Sequence, residues 1–424
     1  MRQKNVIPTI IATLLMSPTI YADVTLSGTV QVEGGSYQRG KWLDEDADAL
    51  RISNDATGAL TNGAPNAVSF DFEEKLSSNL AAYARYSAGF NTSSNEGLKG
   101  GNDAWIGLKG NNFHVRFGRM FGIYKNTMGL IDPFIETSLE SQGTAGGMTG
   151  DFSNQLGLVE KAGDQAITDS NGTPAVENLA PSRQWNGTRY ETISYSSRDL
   201  ATVTEDAGYR DLTYLDHVDT VNNLLEFGVE FGGFSVTAQG SFDETEVTDS
   251  LGMIELQYAH GVPDDPTFVV FVTGSYADVG DSEILPGSTT LEDTRTNLRT
   301  GAYYNLKLPN GSLHLGLQYE AAELGTFDSD INPDGGKYII GSVDYRTGII
   351  AIGGWVGNYA SDIEQNRRYI IDNEWIDEDA ISFAIGIKAF LGNHAMLFSG
   401  YRQVDSDNDY RDENIFLVGM RYSF

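Results

Sequence analysis

Carboxylates are the side chains of this 424-residue chain with the clearest potential for binding chemistry. The segment 328–335 carries Asp328, Asp330 and Asp334 at the alternate spacing that calcium-binding loops use. It lacks the glycine at the sixth position and the glutamate at the twelfth that an EF-hand requires. A solvated acidic loop is therefore the favoured interpretation, calcium binding is the weaker alternative, and no cofactor is expected.

Catalytic residue patterns are not recognisable. The five histidines are scattered without an HExxH pair, and neither a GxSxG elbow nor a GxxxxGK[ST] phosphate loop occurs. The chain has no cysteine, which excludes disulfides, thiolate metal sites and cysteine nucleophiles. We therefore do not expect an enzyme.

The remaining charged residues lie in segments that alternate between apolar and polar side chains. In one of them, Phe113, Val115 and Phe117 alternate with His114 and Arg116. Because a β-strand repeats every two residues, such a segment has one apolar and one polar face. The polar faces of all these segments carry an acid-rich set: Asp71, Glu73, Arg85, Arg116, Glu226, Glu230, Arg299 and Glu320.

The connections between the segments alternate between short and long. Tight turns are predicted at 76–79, 110–112, 232–233, 309–311, 347–348 and 391–393, and polar loops at 38–65, 278–294, 324–336, 360–378 and 405–411. Short turns on one side and long loops on the other are typical of outer-membrane barrels, and hydrocarbon tolerates no open sheet edge. The pattern predicts an all-β, transmembrane antiparallel barrel, with its longest irregular stretch at 123–186.

The number of strands is left open between sixteen and eighteen. Periodicity identifies seventeen segments, whereas a barrel with both termini on the turn side needs an even number. A weak strand between Asp199 and Asp216 would make eighteen. If one of the segments is a loop, the number is sixteen.

The first 22 residues have the features of a secretory signal peptide, with a basic start, an apolar stretch and a small residue at Ala22. After them no apolar run approaches the roughly 20 residues of a membrane-spanning helix. We expect one domain over residues 23–424. The formal net charge of −31 makes a nucleic-acid partner unfavourable.

Four stretches of the chain resemble the Gram-negative general porins. They are DVTLSGTVQVEG at 23–34, WIGLKGNNFHVRFGR at 105–119, RQWNGTRYETISY at 183–195 and IFLVGMRYSF at 415–424. The resemblance implies a trimeric channel of about sixteen strands in the outer membrane of a Gram-negative bacterium, with the third loop folded into the lumen. It also implies the lipid bilayer, lipopolysaccharide and small hydrophilic solutes as partners.

The resemblance further implies a constriction formed by basic wall residues and acids of the inward loop. The family's basic positions fall on Thr29, Ala67, Asn102 and roughly Glu191, none of which is basic here. The residues that remain for this role are Arg85, Arg116 and Arg119 on the wall and Asp132, Glu136 and Glu140 on the loop. We count Asn102 among the pore-lining residues.

The functional hypothesis is passive diffusion of ions and small hydrophilic solutes. An acid-rich lining raises the local cation concentration, so a weak cation preference is expected. The alternative is a substrate-specific channel, for oligosaccharides for example, because Tyr83, Trp105 and Tyr303 could form part of an aromatic track on the inner face.

Overall fold

The structure is a computed structural model, and it describes most of the chain between residues 23 and 424. The described residues are 23–39, 50–52, 66–90, 98, 103–141, 193–195, 200–203, 221–241, 250–262, 265–278, 282–283, 290–291, 294–323, 336–361, 370–371, 374–375, 379–406 and 413–424.

Sixteen long antiparallel strands among these residues form one closed barrel. They are β1 Asp23–Arg39, β2 Ala67–Ser77, β3 Leu80–Gly89, β4 Ala104–Gly110, β5 Phe113–Met120, β6 Val221–Phe231, β7 Phe234–Ser241, β8 Ser250–Val262, β9 Asp265–Asp278, β10 Thr294–Leu308, β11 Gly311–Glu323, β12 Gly336–Thr347, β13 Ile350–Ser361, β14 Ala380–Leu391, β15 Ala395–Ser406 and β16 Glu413–Ser423. The all-β class and the lower of the two strand numbers are thus confirmed.

Each strand pairs with its neighbour in the chain, and the first strand closes the barrel on the last. The half of β1 from Asp23 to Thr29 pairs with β2, and the half from Thr29 to Arg39 pairs with β16. Gly28 and Phe424 exchange two backbone hydrogen bonds of 3.0 Å across this seam. The sheet therefore has no free edge, as the hydrocarbon region of a membrane requires.

The barrel is apolar on the outside and largely polar on the inside. On β14, Ile381, Phe383 and Ile385 are exposed, whereas Ser382 and Ala384 between them are buried. The last strand has the same pattern, with Phe416 and the other alternate residues up to Phe424 exposed on one face. This arrangement suits a wall that meets lipid outside, so the predicted alternation is confirmed.

The tight turns lie on one side of the barrel and the long connections on the other. In the turn between β6 and β7, Gly232 and Gly233 have φ of +56° and +87°, a region that glycine enters most readily. Among the described residues, no helix is long and apolar enough to cross a membrane.

The third long connection extends beyond the predicted boundary at residue 186, because β5 pairs directly with β6, which begins at Val221. Ile193–Tyr195 and Leu200–Val203 pair only with each other in a separate two-stranded sheet. The described part of the segment between Asp199 and Asp216, Leu200–Val203, is therefore not a wall strand, and the alternative of eighteen strands is wrong. Two other short strand pairs, Ser282–Glu283 with Thr290–Leu291 and Ile370–Ile371 with Glu374–Trp375, also lie outside the barrel sheet, whereas Leu50–Ile52 pairs with β1.

Candidate pore constriction

The chain after β5 folds back against the inner wall of the barrel. We call residues 121–141 the inner segment; it contains α1 (Ile123–Asn126) and a 3-10 turn (Thr127–Leu130). Gln239 of β7 holds its start, because the side-chain oxygen accepts the Ile123 N–H at 2.8 Å and the side-chain nitrogen donates to the Phe121 carbonyl at 3.0 Å. Both polar atoms of one side chain thus fix the point at which the segment enters the lumen.

Two of the predicted constriction acids hold the inner segment together. The Asp132 carboxylate accepts hydrogen bonds from the backbone N–H groups of Phe134 and Ser141, and the Glu140 carboxylate accepts one from the Glu136 N–H. Asp132 and Glu140 are both buried. Their carboxylates accept hydrogen bonds from backbone N–H groups that burial would otherwise leave without a partner. Both acids therefore have a structural role.

Burial raises the pKa of Asp132 to about 6, although its two backbone hydrogen bonds act in the opposite direction. Because this pKa lies above the unfolded value of 3.8, the folded protein binds the proton more tightly, and its stability rises as the pH falls from 7 to 4. We expect this contribution, at most about 3 kcal/mol, to be missing from Asp132→Asn. Thermal unfolding of both proteins across this pH range measures it. Parallel profiles would contradict the prediction.

The wall binds the inner segment mainly through the segment's backbone carbonyl groups. The donors come from successive strands, from β10 around to β1. They are Arg299 to Tyr124, His314 to Leu130, Ser342 to Ile131, Trp355 to Leu139, Lys388 to Pro133, Arg402 to Ser138 and Glu140, Arg421 to Glu136, and Gln31 to Glu136. The segment therefore follows the inner wall across this side of the barrel.

An ion pair beneath the segment fixes its helical part. Arg299 and Glu320, which are opposite each other on β10 and β11, have no exposed side-chain surface and are 3.4 Å apart. Arg299 also donates to the Tyr124 carbonyl and, at 3.0 Å, to the Thr127 hydroxyl. Glu320 accepts the Tyr124 hydroxyl at 2.7 Å. Both charges were predicted to line the pore; they lie on the inner face but are covered.

The third loop acid, Glu136, pairs with the last strand. Its carboxylate lies 3.2 Å from the Arg421 guanidinium, which also donates to the Glu136 carbonyl at 2.7 Å. Glu136 has a φ of +65°, and its backbone N–H is held by Glu140. The basic partner of this loop acid is therefore a residue of β16.

The opposite part of the wall carries its own ion pairs. Arg85 lies 2.7 Å from Asp71, and Lys109 lies 2.7 Å from Glu73. The side chains in these two pairs are between 30% and 41% exposed, so they face open space. Since Arg85 pairs within the wall, the expected pairing across the lumen with the loop acids is not the one in the structure.

Glu226 organises the neighbouring part of this wall. Arg116 donates two hydrogen bonds of 2.7 Å to its carboxylate, His114 lies at 2.6 Å, and Gln239 donates at 2.8 Å. The Glu226 side chain has no exposed surface, because these partners cover it. Gln239 also holds the start of the inner segment, so one carboxylate connects the charged wall with that segment.

The chain matches the sequence model of the Gram-negative porins over residues 9–424. It belongs to the Gram-negative porins. Family and fold place this porin in the outer membrane and indicate a channel rather than an enzyme. No curated protein sequence matches it.

Solved structures of two porins and of another outer membrane protein have a similar fold. The anion-selective porin from Comamonas acidovorans is 14% identical, with a TM-score of 0.57 over 95% of this chain and 100% of that one. The trimer form of OmpT, an outer membrane protein of Vibrio cholerae, is 13% identical, with a TM-score of 0.53 over 95% and 99%. A mutant of the Rh. blastica porin is 11% identical, with a TM-score of 0.51 over 95% and 100%. At these identities the likeness concerns the fold alone.

Aromatic side chains also lie on the inner face of this porin. Tyr83 and Trp105 meet edge to face at 5.0 Å, with Lys109 and Arg116 lying over their rings at 5.3 and 4.9 Å. Tyr303 stacks on His314 at 4.7 Å. The inward orientation suggested for these aromatics agrees with the structure.

Arg119 is placed differently from what the family resemblance implies. It pairs with Ala104, whose neighbour Ile106 is exposed on the outer face, and it follows Phe117 by two positions on its own strand. The alternation of β5 thus directs Arg119 away from the lumen. The residue before Arg119, Gly118, lies on the inner face opposite Trp105.

The other predicted residues fall in two groups. Glu230 lies at the turn end of β6, where its backbone is held by Asn112, and its side chain is exposed. Asn102 and the calcium candidates Asp328, Asp330 and Asp334 lie outside the described residues. Within the described part of the chain, no group of three His, Asp or Glu residues could hold a metal ion.

Sequence reasoning missed most wall residues that hold the inner segment. Trp355, Lys388 and Arg402 were not singled out, although each lies on the inward-facing register of its strand. The sequence does contain one signal for such residues, namely a basic or hydrogen-bonding side chain between two outward apolar residues. It indicates that the side chain points inward, but not what it meets there.

Proposed function

We propose that this porin is a passive channel for ions and small hydrophilic solutes. A barrel of about sixteen strands leaves an aqueous lumen. The supporting observation is that the inner segment binds one side of the wall, whereas Asp71, Arg85, Glu73 and Lys109 keep exposed charged side chains on the other. Water and solutes pass between these two sides, driven by the solute gradient.

The charge of the lining favours cations weakly. Seven inward basic residues each pair with a carboxylate: Arg85, Lys109, Arg116, Arg299, Lys388, Arg402 and Arg421. Arg85 has a second carboxylate, that of Asp103, at 4.0 Å, so acids outnumber basic groups in that part of the lining. Because paired charges largely cancel, the excess of acid sets the sign of the field in the lumen.

The reversal potential of single channels in a KCl gradient tests this preference. We expect potassium to carry more current than chloride, with the preference weakening at high ionic strength as the charges are screened. A reversal potential of the opposite sign would overturn it. The anion selectivity named for the Comamonas acidovorans porin belongs to that protein, which shares 14% of its residues with this chain.

We also propose that the porin is a homotrimer. The support is its structural likeness to OmpT of Vibrio cholerae, for which a trimer form is known. Conductance in planar bilayers should then rise in groups of three equal steps. Insertion in single, ungrouped steps would contradict a trimer.

A substrate-specific channel is the second candidate, favoured by the contact between Tyr83 and Trp105 on the inner face. Trp105 is only 9% exposed, so little of this aromatic surface is available to a sugar. Liposome swelling with neutral sugars of increasing size separates the two. A smooth decline with size supports general diffusion, and a saturable preference supports specificity.

A further inference from the structure

We propose that four glycines of the barrel wall form a seat for the inner segment and thereby set how far it projects into the lumen. We call Gly316, Gly353, Gly386 and Gly400 the seat glycines; they lie on β11, β13, β14 and β15. This inference rests on the proposed channel function, because it makes the seat glycines positioning residues for the pore width.

The seat is visible as a series of close approaches. A methyl group placed on each seat glycine would meet an apolar side chain of the inner segment. The contacts are Gly316 with Ile131 at 3.2 Å, Gly353 with Pro133 at 3.3 Å, Gly386 with Phe134 at 3.0 Å and Gly400 with Leu139 at 2.5 Å. These distances are at or below the lower limit of ordinary packing, so a side chain at any of these positions would displace the segment or the wall.

The apolar residues on the segment side are buried. Ile131, Phe134 and Leu139 each have at most 1% of their surface exposed. The hydrogen bonds that hold the segment run between these contacts: Ser342 donates to the Ile131 carbonyl at 2.6 Å, and Trp355 donates to the Leu139 carbonyl at 2.8 Å. The seat glycines therefore allow the inner segment to lie close to the wall, and the polar side chains of the wall bind it there.

Gly316 is the most informative position to change. The atoms nearest to an added methyl group there belong to two side chains, the Ser342 hydroxyl at 2.5 Å and Ile131 at 3.2 and 3.3 Å. At Gly386 and Gly400 a neighbouring backbone carbonyl lies at 2.7 and 2.6 Å, so a substitution would also strain the sheet. Gly316→Ala thus acts on the segment through Ile131 directly and through the Ser342 hydroxyl, which donates to the Ile131 carbonyl.

Two other glycines supply matched controls. Gly341 on β12 has no atom within 4 Å of an added methyl group. Gly354 on β13 would crowd the Ala384 carbonyl of the next strand at 2.8 Å, but no atom of the inner segment is among its nearest neighbours. Gly341→Ala controls for the added methyl group, and Gly354→Ala controls for crowding within the sheet.

Single-channel conductance and liposome swelling with neutral sugars test the seat. We expect Gly316→Ala to move the segment towards the pore axis, which lowers the conductance and shifts the size limit towards smaller sugars. Gly341→Ala and Gly354→Ala should leave both quantities as in the parent. Heat-modifiable migration in electrophoresis verifies that every variant forms the barrel.

A double variant makes the test independent of general damage. Ile131→Ala removes the two atoms of the segment that the new methyl group would meet and leaves only the Ser342 hydroxyl of the wall. Gly316→Ala should therefore lower the conductance less when Ile131→Ala is also present than it does in the parent, a non-additivity expected of residues in contact. Equal conductance of the parent and Gly316→Ala, or additive effects in the double variant, would overturn the seat. A parent protein that forms no size-graded channel would instead overturn the proposed function.

Discussion

Arg299→Met is expected to lower the stability of the barrel by about 3–5 kcal/mol, because it leaves Glu320 without its basic partner in a buried site. It also removes the donors to Tyr124 and Thr127, which hold the helical part of the inner segment. We expect a lower unfolding temperature in detergent and noisier open-channel current. The lower unfolding temperature and the current noise have one cause, because the Arg299–Glu320 pair both stabilises the wall and binds the inner segment.

Lys307→Met is the matched control for this variant. Lys307 belongs to the same strand and pairs with Asp265, but both side chains are more than half exposed. Exposed pairs contribute about 1 kcal/mol or less, so its unfolding temperature should stay close to that of the parent. Adding Glu320→Gln to Arg299→Met removes both charges and should recover part of the loss. If Arg299→Met and Lys307→Met unfold alike, the buried pair does not stabilise the protein as we infer.

Glu226→Gln is expected to shift the channel towards anions. The change leaves Arg116 without its carboxylate and so adds one positive charge to the wall. At about 8 Å in water a unit charge changes the energy of a passing ion by about 0.5 kcal/mol, which is about twofold in the local concentration of each ion, down for cations and up for anions. The reversal potential in a KCl gradient measures this shift directly.

Glu230→Gln on the same strand provides the comparison, because that side chain is exposed at the turn end of β6. It removes the same charge, but where solvent screens it, so a smaller shift is expected. Equal shifts in the two variants would show that total charge, rather than the pairing of Arg116, governs ion preference.

The faces of the strands were predictable because alternation is a local property. Asp71 and Arg85 occur at inward positions of adjacent strands, and their contact follows once the hairpin forms. The apolar side chains that end at Phe424 likewise follow from the two-residue period. For Arg119 the same period indicated an outward position, and only the family resemblance suggested the lumen.

The roles of the loop acids were not predictable in this way. Asp132 and Glu140 bind backbone N–H groups because the inner segment curls back on itself, and nothing in their spacing indicates that curl. Glu136 contacts Arg421 on the last strand, which is 285 positions away in the sequence. Such a contact depends on the closure of the barrel and on the path of the segment inside it.

The sequence alone therefore determined an outward apolar face and an inward polar face, since both depend on residues two positions apart. It also determined that the sheet closes, since hydrocarbon tolerates no open sheet edge. Only the tertiary structure decided which inward charges are covered. Arg299, Glu320 and Arg402 have the same inward register as Arg85, yet they are buried because the inner segment lies over them. Burial depends on contacts between parts of the chain separated by up to 264 positions, and no local pattern encodes them.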